Sequence, residues 1–531
     1  MPRRLTVAVA LAAVCQALLI LSSRYLQSYD AYTHMFFADH YLHHWDTLWD
    51  ERWYGGFTVV SYPPLVHQVM AVLATVTGIE VAYALVLFLV MVTLPVAVYA
   101  FARVFLEPES AGNAAIGAAV LPSFFLAAHV FGQLPTLGAL LLALFSFAAL
   151  ASYLGTGSRI SGALTVALFA AVVAAHHATL LFMPGGILAV IGHFMLTRAL
   201  PLRLMVKRLL LITLPALAAC VFVIWPFWVW GMSQSMQTPI DHLSRHNFIS
   251  DPDALLLFFL PVYGLFILLI PYALYHLTHR QLAAPALVFI PLFVLGLGGT
   301  TPLPRLLFGT GWEWLTYDRF GLWASVMLLI FFGKAISVMG QWLSIHLPRC
   351  QKPDMTAFYM RIGAAFGVGL LALLAIGVGL FPTWFPTQPP QVDMRPIVNF
   401  LNSDNRAQWR YLTFGFGDQW AAISLDTAAT TIDGSYHTAR QSPVMRSSGI
   451  GQIDSVFWSD KGLAALAPIL QMAQDQGVRW GFVDRREYEP VLVQQGWMFD
   501  QMLSNDIAVW EAPNVPVPVR STLPPDDSLQ L

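Results

Sequence analysis

The sequence predicts an α-helical polytopic membrane protein with about eleven transmembrane helices, followed by a C-terminal extracytoplasmic α/β domain. Of its 531 residues, 57% are hydrophobic and 11% are charged, whereas soluble domains carry about 25% charged residues. The apolar residues fall into runs of roughly the 20 residues that a helix needs to cross a bilayer. The chain after residue 384 lacks such runs and shows short alternating stretches instead.

The first apolar run follows the basic start MPRR and covers residues 5–23. It is long for the core of a signal peptide and many further spans follow, so we interpret it as an uncleaved transmembrane helix. The further predicted spans are residues 79–105, 111–131, 133–154, 160–180, 181–197, 209–230, 254–276, 282–299, 320–341 and 362–384.

The apolar segment 65–78 decides the predicted topology. As a helix it is about 20 Å long, which is short of a hydrocarbon core of about 30 Å. If it does not cross and Arg3 and Arg4 are cytoplasmic, the later basic loops all fall inside, as the positive-inside bias favours. Their residues are Arg103, Arg159, Arg198, Arg203, Lys207, Arg208, His279, Arg280, Arg349, Lys352 and Arg361. We therefore predict a multi-pass protein of the plasma (inner) membrane with a cytoplasmic N-terminus.

In this topology every long polar segment lies outside the cytoplasm. The predicted domains are a transmembrane domain, 1–384, with a large first outer loop, 24–64, then a proline-rich linker, 385–400, an α/β domain, 401–512, and a disordered tail, 513–531. The α/β prediction rests on the stretches RYLTFGF, RWGFVDR and IAVWEA and on an amphipathic helix at 463–476.

Charge and cysteine content exclude several other classes of function. A net charge of -2 gives no indication of a nucleic-acid partner. Cys15, Cys220 and Cys350 lie far apart in the chain, so they predict neither a disulfide framework nor a zinc knuckle.

The first outer loop carries the candidate catalytic residues, in SYDAYTHMFFADHYLHHW. Asp30 follows the first span at the membrane edge, where ionisable groups are costly, and this favours a general base that acts on a hydroxyl. In a helix that starts at Asp30, His34 lies near the same stripe and Asp39 on another. Asp39 is a second candidate, with a solvated interfacial helix as the alternative. For Asp46, Asp50 and Glu51 solvation is favoured, and YGGF and YPP indicate turns.

The histidines of this loop raise the question of a metal cofactor. His40 and His44 have the i, i+4 spacing of metal ligands, but no carboxylate matches them on the same face. We therefore assign no metal ligand, and a divalent metal ion is left open as a cofactor.

Two joints between predicted spans supply candidate substrate-binding residues. Gln133 precedes Pro135 of a first helical turn at the outer face. It is placed to bind a sugar hydroxyl or the Asp30 carboxylate, with a plain helical hairpin as the alternative. His176, next to His177, either faces an outer cavity or bonds between helices.

Arginines in outer loops oppose the positive-inside bias, so an anionic partner is expected for them. Arg245, Arg305 and Arg319 are candidates for phosphate binding, because guanidinium recognises phosphate bidentately. Asp318 and Arg319 are alternatively a structural pair at a helix start. The same loops add the candidates His242, Asn247 and Asp318. The tail segment DGSYHTAR, which we expect to cap the substrate cavity, adds Tyr436 and His437.

Four features of the sequence together resemble the GT-C class of polytopic glycosyltransferases, and within it a bacterial branch labelled pyruvoyl-tetrahydropterin-synthase-related. They are an acid just after the first span and the motifs W…GG…YPPL, FGQLPTL and GTTPLPR…LTYDRF. Nothing in the sequence supports pterin chemistry. The resemblance covers most of residues 1–384. It implies a polyprenyl-phosphate sugar donor, transfer on the outer face with inversion, and Asp30 as catalytic base. The usual pair of neighbouring acids is incomplete, because Ala31 and Tyr32 follow Asp30.

The sequence thus predicts a membrane glycosyltransferase that moves a sugar from a polyprenyl-phosphate donor to the hydroxyl of a glycan, lipid or protein acceptor. The alternative is a non-enzymatic protein that binds or transports lipid and keeps a GT-C-like cavity. Spans interrupted at mid-membrane by paired glycine and proline would favour transport, whereas polar residues at one boundary favour surface chemistry.

Overall fold

The computed structural model describes residues 2–346 and 353–518, which form two compact units. The first, here the helical unit, comprises Met1–Tyr25, Ala84–Ile224 and His242–Trp384. The second, here the mixed unit, comprises Leu26–Tyr83, Trp225–Asp241 and Phe385–Leu531. Some of the predictions concern residues outside the described ones. They are the cytoplasmic placement of Arg349 and Lys352, the thiol Cys350, and the predicted tail from residue 519 onward. The domain boundaries at 384, 400 and 512 stay predictions.

The helical unit is built from long apolar helices and shorter pieces between them. The unit boundaries fall within Ile79–Ala102 and Leu202–Ser233. The helices are Arg3–Leu21, Ile79–Ala102, Pro108–Ala119, Pro122–Phe125, Leu134–Thr156, Arg159–Ala175, Met183–Thr197, Leu202–Ser233, Pro252–Phe258, Leu260–Tyr263, Ile270–Tyr275, Ala283–Leu295, Leu303–Phe308, Asp318–His346 and Pro353–Gly379.

Eight helical stretches of the described chain are long and apolar enough to cross a membrane when His177–Thr197 and Pro252–Thr278 are each taken as one, or nine if one bent pair forms a single span. These helices support the prediction of a multi-pass membrane protein. Arg159–Ala175 and Ala283–Leu295 match two further predicted spans but are shorter, so the count of about eleven stays a prediction. Leu65–Thr77 has 13 residues, which is also short of a span.

Two predicted spans are interrupted. The bent pair, Pro108–Ala119 and Pro122–Val130, turns by 40°. The span predicted at 254–276 is broken at Gly264, whose φ of +48° requires a residue without a Cβ atom. By contrast, Leu134–Thr156 is regular: a proline occupies its first turn and the left-handed Gly157 ends it.

The helix Asp318–His346 lies at the centre of the packing in the helical unit. Its first half is almost entirely buried, and it packs against Pro108–Ala119 and Ala283–Leu295. Hydrogen bonds between helices accompany this packing, for example 2.7 Å between the hydroxyls of Ser123 and Ser325. The N-terminus of this helix is therefore held firmly, and it carries two of the candidate residues.

The mixed unit contains short helices and two sheets. Its helices are Ala31–His43, Leu65–Thr77, Arg395–Asn402, Ile423–Asp426, Pro443–Ser448, Leu466–Asp475 and Glu489–Gln494. A two-stranded antiparallel sheet pairs β1 (Trp49–Asp50) with β2 (Phe57–Thr58). The turn between them explains YGGF: Gly56 has a φ of +118°, and a Cβ atom there would lie 2.1 Å from the Trp49 ring.

The larger sheet consists of β3 (Arg410–Phe414), β4 (Val478–Val483), β5 (Met498–Met502) and β6 (Ala508–Glu511) in the order β3-β4-β6-β5. The β3–β4 pair is parallel and the other two pairs are antiparallel. Strands β3, β4 and β6 fall on the three predicted stretches. The prediction missed β5, because all five of its residues are exposed at the sheet edge and show no alternation.

Aromatic residues of the first outer loop belong to the core of the mixed unit. Phe36 stacks on Trp53 with ring centroids 3.6 Å apart, and both side chains are fully buried. The same hydrophobic cluster contains Tyr411 of β3 and Trp480 of β4. Burial of such rings is a large favourable contribution to folding, so the loop is an integral part of this unit.

Candidate active site

In the helical unit, a buried polar cluster forms where two helices begin. Asp318 starts Asp318–His346 and is 7% exposed, and Gln133 immediately precedes Leu134–Thr156. The Gln133 side chain donates a hydrogen bond of 3.0 Å from Nε2 to Oδ2 of Asp318. Both residues were predicted as substrate-binding. The hydrogen-bond partner of Gln133 in this structure is Asp318.

Cationic side chains surround this carboxylate. Arg319 and His242 lie close enough to Asp318 to interact electrostatically with it. Arg319 donates from Nη1 to the Thr316 hydroxyl at 3.2 Å, while its buried Nε has no hydrogen-bond partner within the described chain. His176 also lies within electrostatic range of Arg319. Five predicted residues from four separate stretches therefore meet here, and we name them the polar cluster: Gln133, His176, His242, Asp318 and Arg319.

The two loops that carry His242 and Asp318, both predicted to be outer loops, are joined by hydrogen bonds. The Ser244 hydroxyl accepts from the backbone N–H of Tyr317 at 2.9 Å. Arg245 donates from Nε to the carbonyl oxygen of Leu315 at 3.1 Å. Asn247 forms an antiparallel bridge with Gly298. Arg245 and Asn247 thus fix the loop that presents His242.

Arg305 is placed differently from the other two candidate arginines. It is exposed, and its guanidinium lies over the Trp312 ring, 4.7 Å from the ring centroid. A cation held on an aromatic face keeps its N–H donors at the ring edge available.

In the mixed unit, Asp30 occupies the position before the helix Ala31–His43. It is half-buried, and its side chain does not cap the helix. His34, one turn later, is 1% exposed, with its Nδ1 3.1 Å from Nε2 of His67. Because the other ring nitrogen of His67 lies 3.1 Å from the carbonyl oxygen of Pro63, His67 donates to Pro63 and accepts from His34 in the neutral state. His34 is thereby held in a defined orientation.

Asp39 belongs to a buried ion-pair network. Its Oδ2 lies 2.5 Å from Nη1 of Arg52, whose Nη2 lies 2.7 Å from Asp50. Asp50 also lies 2.9 Å from Nδ1 of His40. Burial opposes ionisation of Asp50, but Arg52 and His40 outweigh it and hold its pKa far below the ordinary value. The expectation that Asp50 is solvated was wrong, because Asp50 is 4% exposed and charge-paired.

The candidates in the tail are bound to the first outer loop. The Tyr436 hydroxyl donates to the carbonyl oxygen of Ser61 at 2.9 Å, and the Tyr436 ring packs edge-on against Tyr62. His437 is exposed at the start of a short turn. Both lie in the mixed unit, which also contains Asp30.

Sequence reasoning missed a carboxylate close to the Asp30 segment. Asp418 follows β3, accepts hydrogen bonds from Gln388 at 2.7 Å and Gln452 at 2.5 Å, and interacts electrostatically with Tyr29. Burial raises the pKa of Asp418 to about 6. The detectable signal was GFGD after a strand of a parallel pair, since ligands often bind at the carboxyl ends of parallel strands.

The histidines of the first loop left a metal cofactor open. Across residues 2–346 and 353–518, no three His, Cys, Asp or Glu side chains come together in a way that could hold a metal ion. His40 and His44 face each other with ring centroids 5.9 Å apart, but Nδ1 of His40 is engaged by Asp50.

Neither a protein-family model nor a curated protein matches the sequence. Solved structures do share the fold. ArnT from Cupriavidus metallidurans bound to undecaprenyl phosphate has a TM-score of 0.53 at 12% identity, with 97% of this chain and 99% of ArnT covered. The Archaeoglobus fulgidus oligosaccharyltransferase in complex with Zn and sulfate has a TM-score of 0.54 at 12% identity, with 92% and 69% covered.

The arabinofuranosyltransferase AftD from Mycobacteria has a TM-score of 0.51 at 15% identity, with 96% of this chain and 41% of AftD covered. These identities are low, so the likeness concerns the fold. All three are glycosyltransferases of the GT-C class, so the likeness confirms the GT-C fold that the sequence motifs implied. The chain is a multi-pass membrane protein with the fold of the GT-C glycosyltransferases.

Proposed function

We propose that this protein is a membrane glycosyltransferase that moves a sugar from a polyprenyl-phosphate donor to an acceptor hydroxyl on the outer face of the plasma membrane. The observation that carries the proposal is the polar cluster within an apolar helical unit of GT-C fold. Ionisable groups are costly in such surroundings and are typically functional. The similar ArnT structure holds undecaprenyl phosphate, a lipid of the class proposed here.

Arg319 is the proposed anchor for the donor phosphate. Its buried Nε has no hydrogen-bond partner in the described chain, and an unsatisfied buried N–H costs about 1–3 kcal/mol. A phosphate oxygen would satisfy this donor with a charge-assisted hydrogen bond. Asp318 and Gln133 would orient the guanidinium, and His242 would add positive charge nearby. Arg245 and Arg305 are further candidates for contact with the headgroup.

Asp30 is the proposed general base. It would take the proton of the acceptor hydroxyl as that oxygen forms a bond to the anomeric carbon of the sugar. The bond from the anomeric carbon to the phosphate oxygen breaks, and its electron pair leaves with the phosphate. Because phosphate is a good leaving group once its charge is held, protonation by a general acid is not required. Attack from the opposite face gives inversion.

The remaining predicted residues take supporting parts in this proposal. His34 would position the base through its contact with His67, and Asp39 would hold the helix that follows Asp30. His176 and Asn247 would line the donor side, while Tyr436 and His437 would contribute to acceptor selection. The N-terminus would be cytoplasmic and the mixed unit extracytoplasmic, as the charge bias of the loops favours.

The direct test measures release of polyprenyl phosphate from a polyprenyl-phosphate sugar by the purified full chain in lipid nanodiscs. Asp30→Asn should lose at least about 100-fold in transfer rate, as expected for removal of a general base. Asp46→Asn is the matched control, because Asp46 lies in the same outer loop and is exposed. Wild-type rates in Asp30→Asn would refute the base assignment. A wild-type protein that binds the donor without turnover would favour the lipid-binding alternative.

A further inference from the structure

A cleft in the mixed unit lies beside the helix that follows Asp30. It encloses about 620 Å³, within the usual range for ligand pockets. We name it the acidic cleft. Its polar lining residues are Tyr32, Glu80, Gln391, Asp393, Arg395, Asn399 and Asp426. Apart from the amides, they carry three carboxylates against one guanidinium, which gives a formal charge of -2.

The single arginine of the cleft is already occupied by a carboxylate. Arg395 donates from Nε to Oδ1 of Asp393 at 2.9 Å and from Nη2 to Oδ2 at 2.7 Å. This pair is internally neutral, so Glu80 and Asp426 account for the net charge. An anionic ligand would meet two carboxylates and a guanidinium whose charge is already balanced by Asp393.

The floor of the cleft is apolar. Tyr32, Val392, Met394 and Val398 line it and pack against the buried hydrophobic cluster of the mixed unit. A site with an aromatic and aliphatic floor and a rim of carboxylates and amides matches the two surfaces of a sugar ring. The C–H face of the ring packs on the aromatic side chain, and the hydroxyls donate to carboxylates.

The walls of the cleft are held in place by hydrogen bonds from outside it. The Gln419 side chain accepts from the backbone N–H of Val392 at 2.9 Å and donates to the carbonyl oxygen of Pro390 at 2.8 Å. Asn402 donates to the carbonyl oxygen of Asp426 at 3.0 Å, and Asn505 donates to that of Asp393 at 2.8 Å. The cleft is therefore preformed, which reduces the entropy lost on binding.

We propose that the acidic cleft binds a saccharide without negative charge and that this saccharide is the acceptor of the transfer; the acceptor role rests on the proposed function. The carboxylates of the cleft do not gather into a group that could hold a metal ion in the described chain, so separated hydroxyls suit them better than one cation. Tyr32 follows Asp30 by two residues, a Cα separation of about 5.4 Å in a helix. The cleft and the proposed base therefore adjoin the same end of the helix Ala31–His43.

The test measures binding of three trisaccharides to the full chain in nanodiscs by isothermal titration calorimetry. The probes are a neutral glucose trimer, a glucosamine trimer and a galacturonate trimer. We expect the neutral or the amino trimer to bind at least tenfold more tightly than the galacturonate trimer. Equal or tighter binding of the galacturonate trimer would overturn the proposal, and so would the absence of binding by all three.

Two variants separate the cleft from other saccharide-binding surfaces. Tyr32→Ala should weaken binding about five- to tenfold by loss of the aromatic floor, and Asp426→Arg should shift the preference toward the galacturonate trimer. Asp475→Asn, an exposed acid elsewhere in the mixed unit, is the control and should change nothing. Unchanged affinity and preference in both cleft variants would refute the site.

The acceptor role has its own readout. Saccharide-dependent transfer should show a raised KM for the saccharide in Tyr32→Ala, while Asp475→Asn should leave both this KM and the release of lipid phosphate in the absence of acceptor unchanged. Binding without any lipid-phosphate release in the wild type would refute the proposed function and leave the saccharide site standing. Release with an unchanged KM in Tyr32→Ala would refute the acceptor role alone.

Discussion

Replacement of Asp433 by Asn should make the mixed unit more stable at alkaline pH. Asp433 is 1% exposed, and its Oδ2 accepts the backbone N–H of Asp454 at 2.9 Å. Its Oδ1 is buried without a hydrogen-bond partner in the described chain. Burial outweighs the hydrogen bonds and the nearby Arg440, and raises the pKa of Asp433 from 3.8 to about 6. Asn keeps the shape and the acceptor oxygen while it removes the charge.

The size of the effect follows from this pKa. Between pH 4 and 6 the folded protein binds more protons at Asp433 than the unfolded chain does, so the free energy of unfolding falls as pH rises through this window. A shift of about 2 units corresponds to a loss of about 3 kcal/mol, reached fully above pH 6. Near pH 3, below both pKa values, the carboxyl group is largely neutral in both states, and the variant and the wild type should be about equally stable.

Hydrogen exchange of peptides from β3 and β4, corrected for the intrinsic pH dependence of exchange, gives the free energy of opening of the mixed unit. Asp433→Asn should exceed the wild type by about 3 kcal/mol at pH 8 and by close to nothing at about pH 3. Asp475→Asn, with an exposed carboxyl group, serves as the control. A difference between Asp433→Asn and the wild type that does not change with pH would refute the reasoning.

Two further predictions concern the ion-pair network and the polar cluster. Arg52→Met leaves Asp39 and Asp50 buried without their guanidinium, so the same exchange measurement should show a loss of about 3–5 kcal/mol. A loss no larger than that of Arg395→Met, at an exposed ion pair, would contradict a structural role for the network. Gln133→Leu removes the hydrogen-bond donor to Asp318. If this hydrogen bond orients Arg319, the rate of lipid-phosphate release should fall about tenfold. An unchanged rate would argue against this orienting role.

Composition and periodicity sufficed to predict the membrane-protein class and most helices. Apolar runs of spanning length leave few alternatives, because a lipid-embedded backbone must satisfy its hydrogen bonds within the helix. The stretches that became β3, β4 and β6 were recognisable by alternation. The exposed β5 was not recognisable, since an edge strand without a buried face carries no periodic signal.

The residues of the polar cluster were all candidates from the sequence, but their contacts with one another were not predictable. The sequence singled out Gln133, Asp318 and Arg319 by their place at outer helix starts. It did not indicate that Gln133 bonds to Asp318, because these residues are 185 positions apart. The sequence also favoured a solvated Asp50. Its ion pair with Arg52 could not be predicted, because Arg52 is buried only by the aromatic core that forms around it.

The amino-acid sequence by itself determined that this chain is a membrane protein, at which residues its helices lie and which of its segments are polar. These properties are local, because each depends on the hydrophobicity of some twenty neighbouring residues. Only the tertiary structure decided that the first outer loop shares a hydrophobic core with the tail sheet and that four distant stretches bring their polar groups together. Such contacts depend on which surfaces exclude water against each other, and no short window of sequence contains that information.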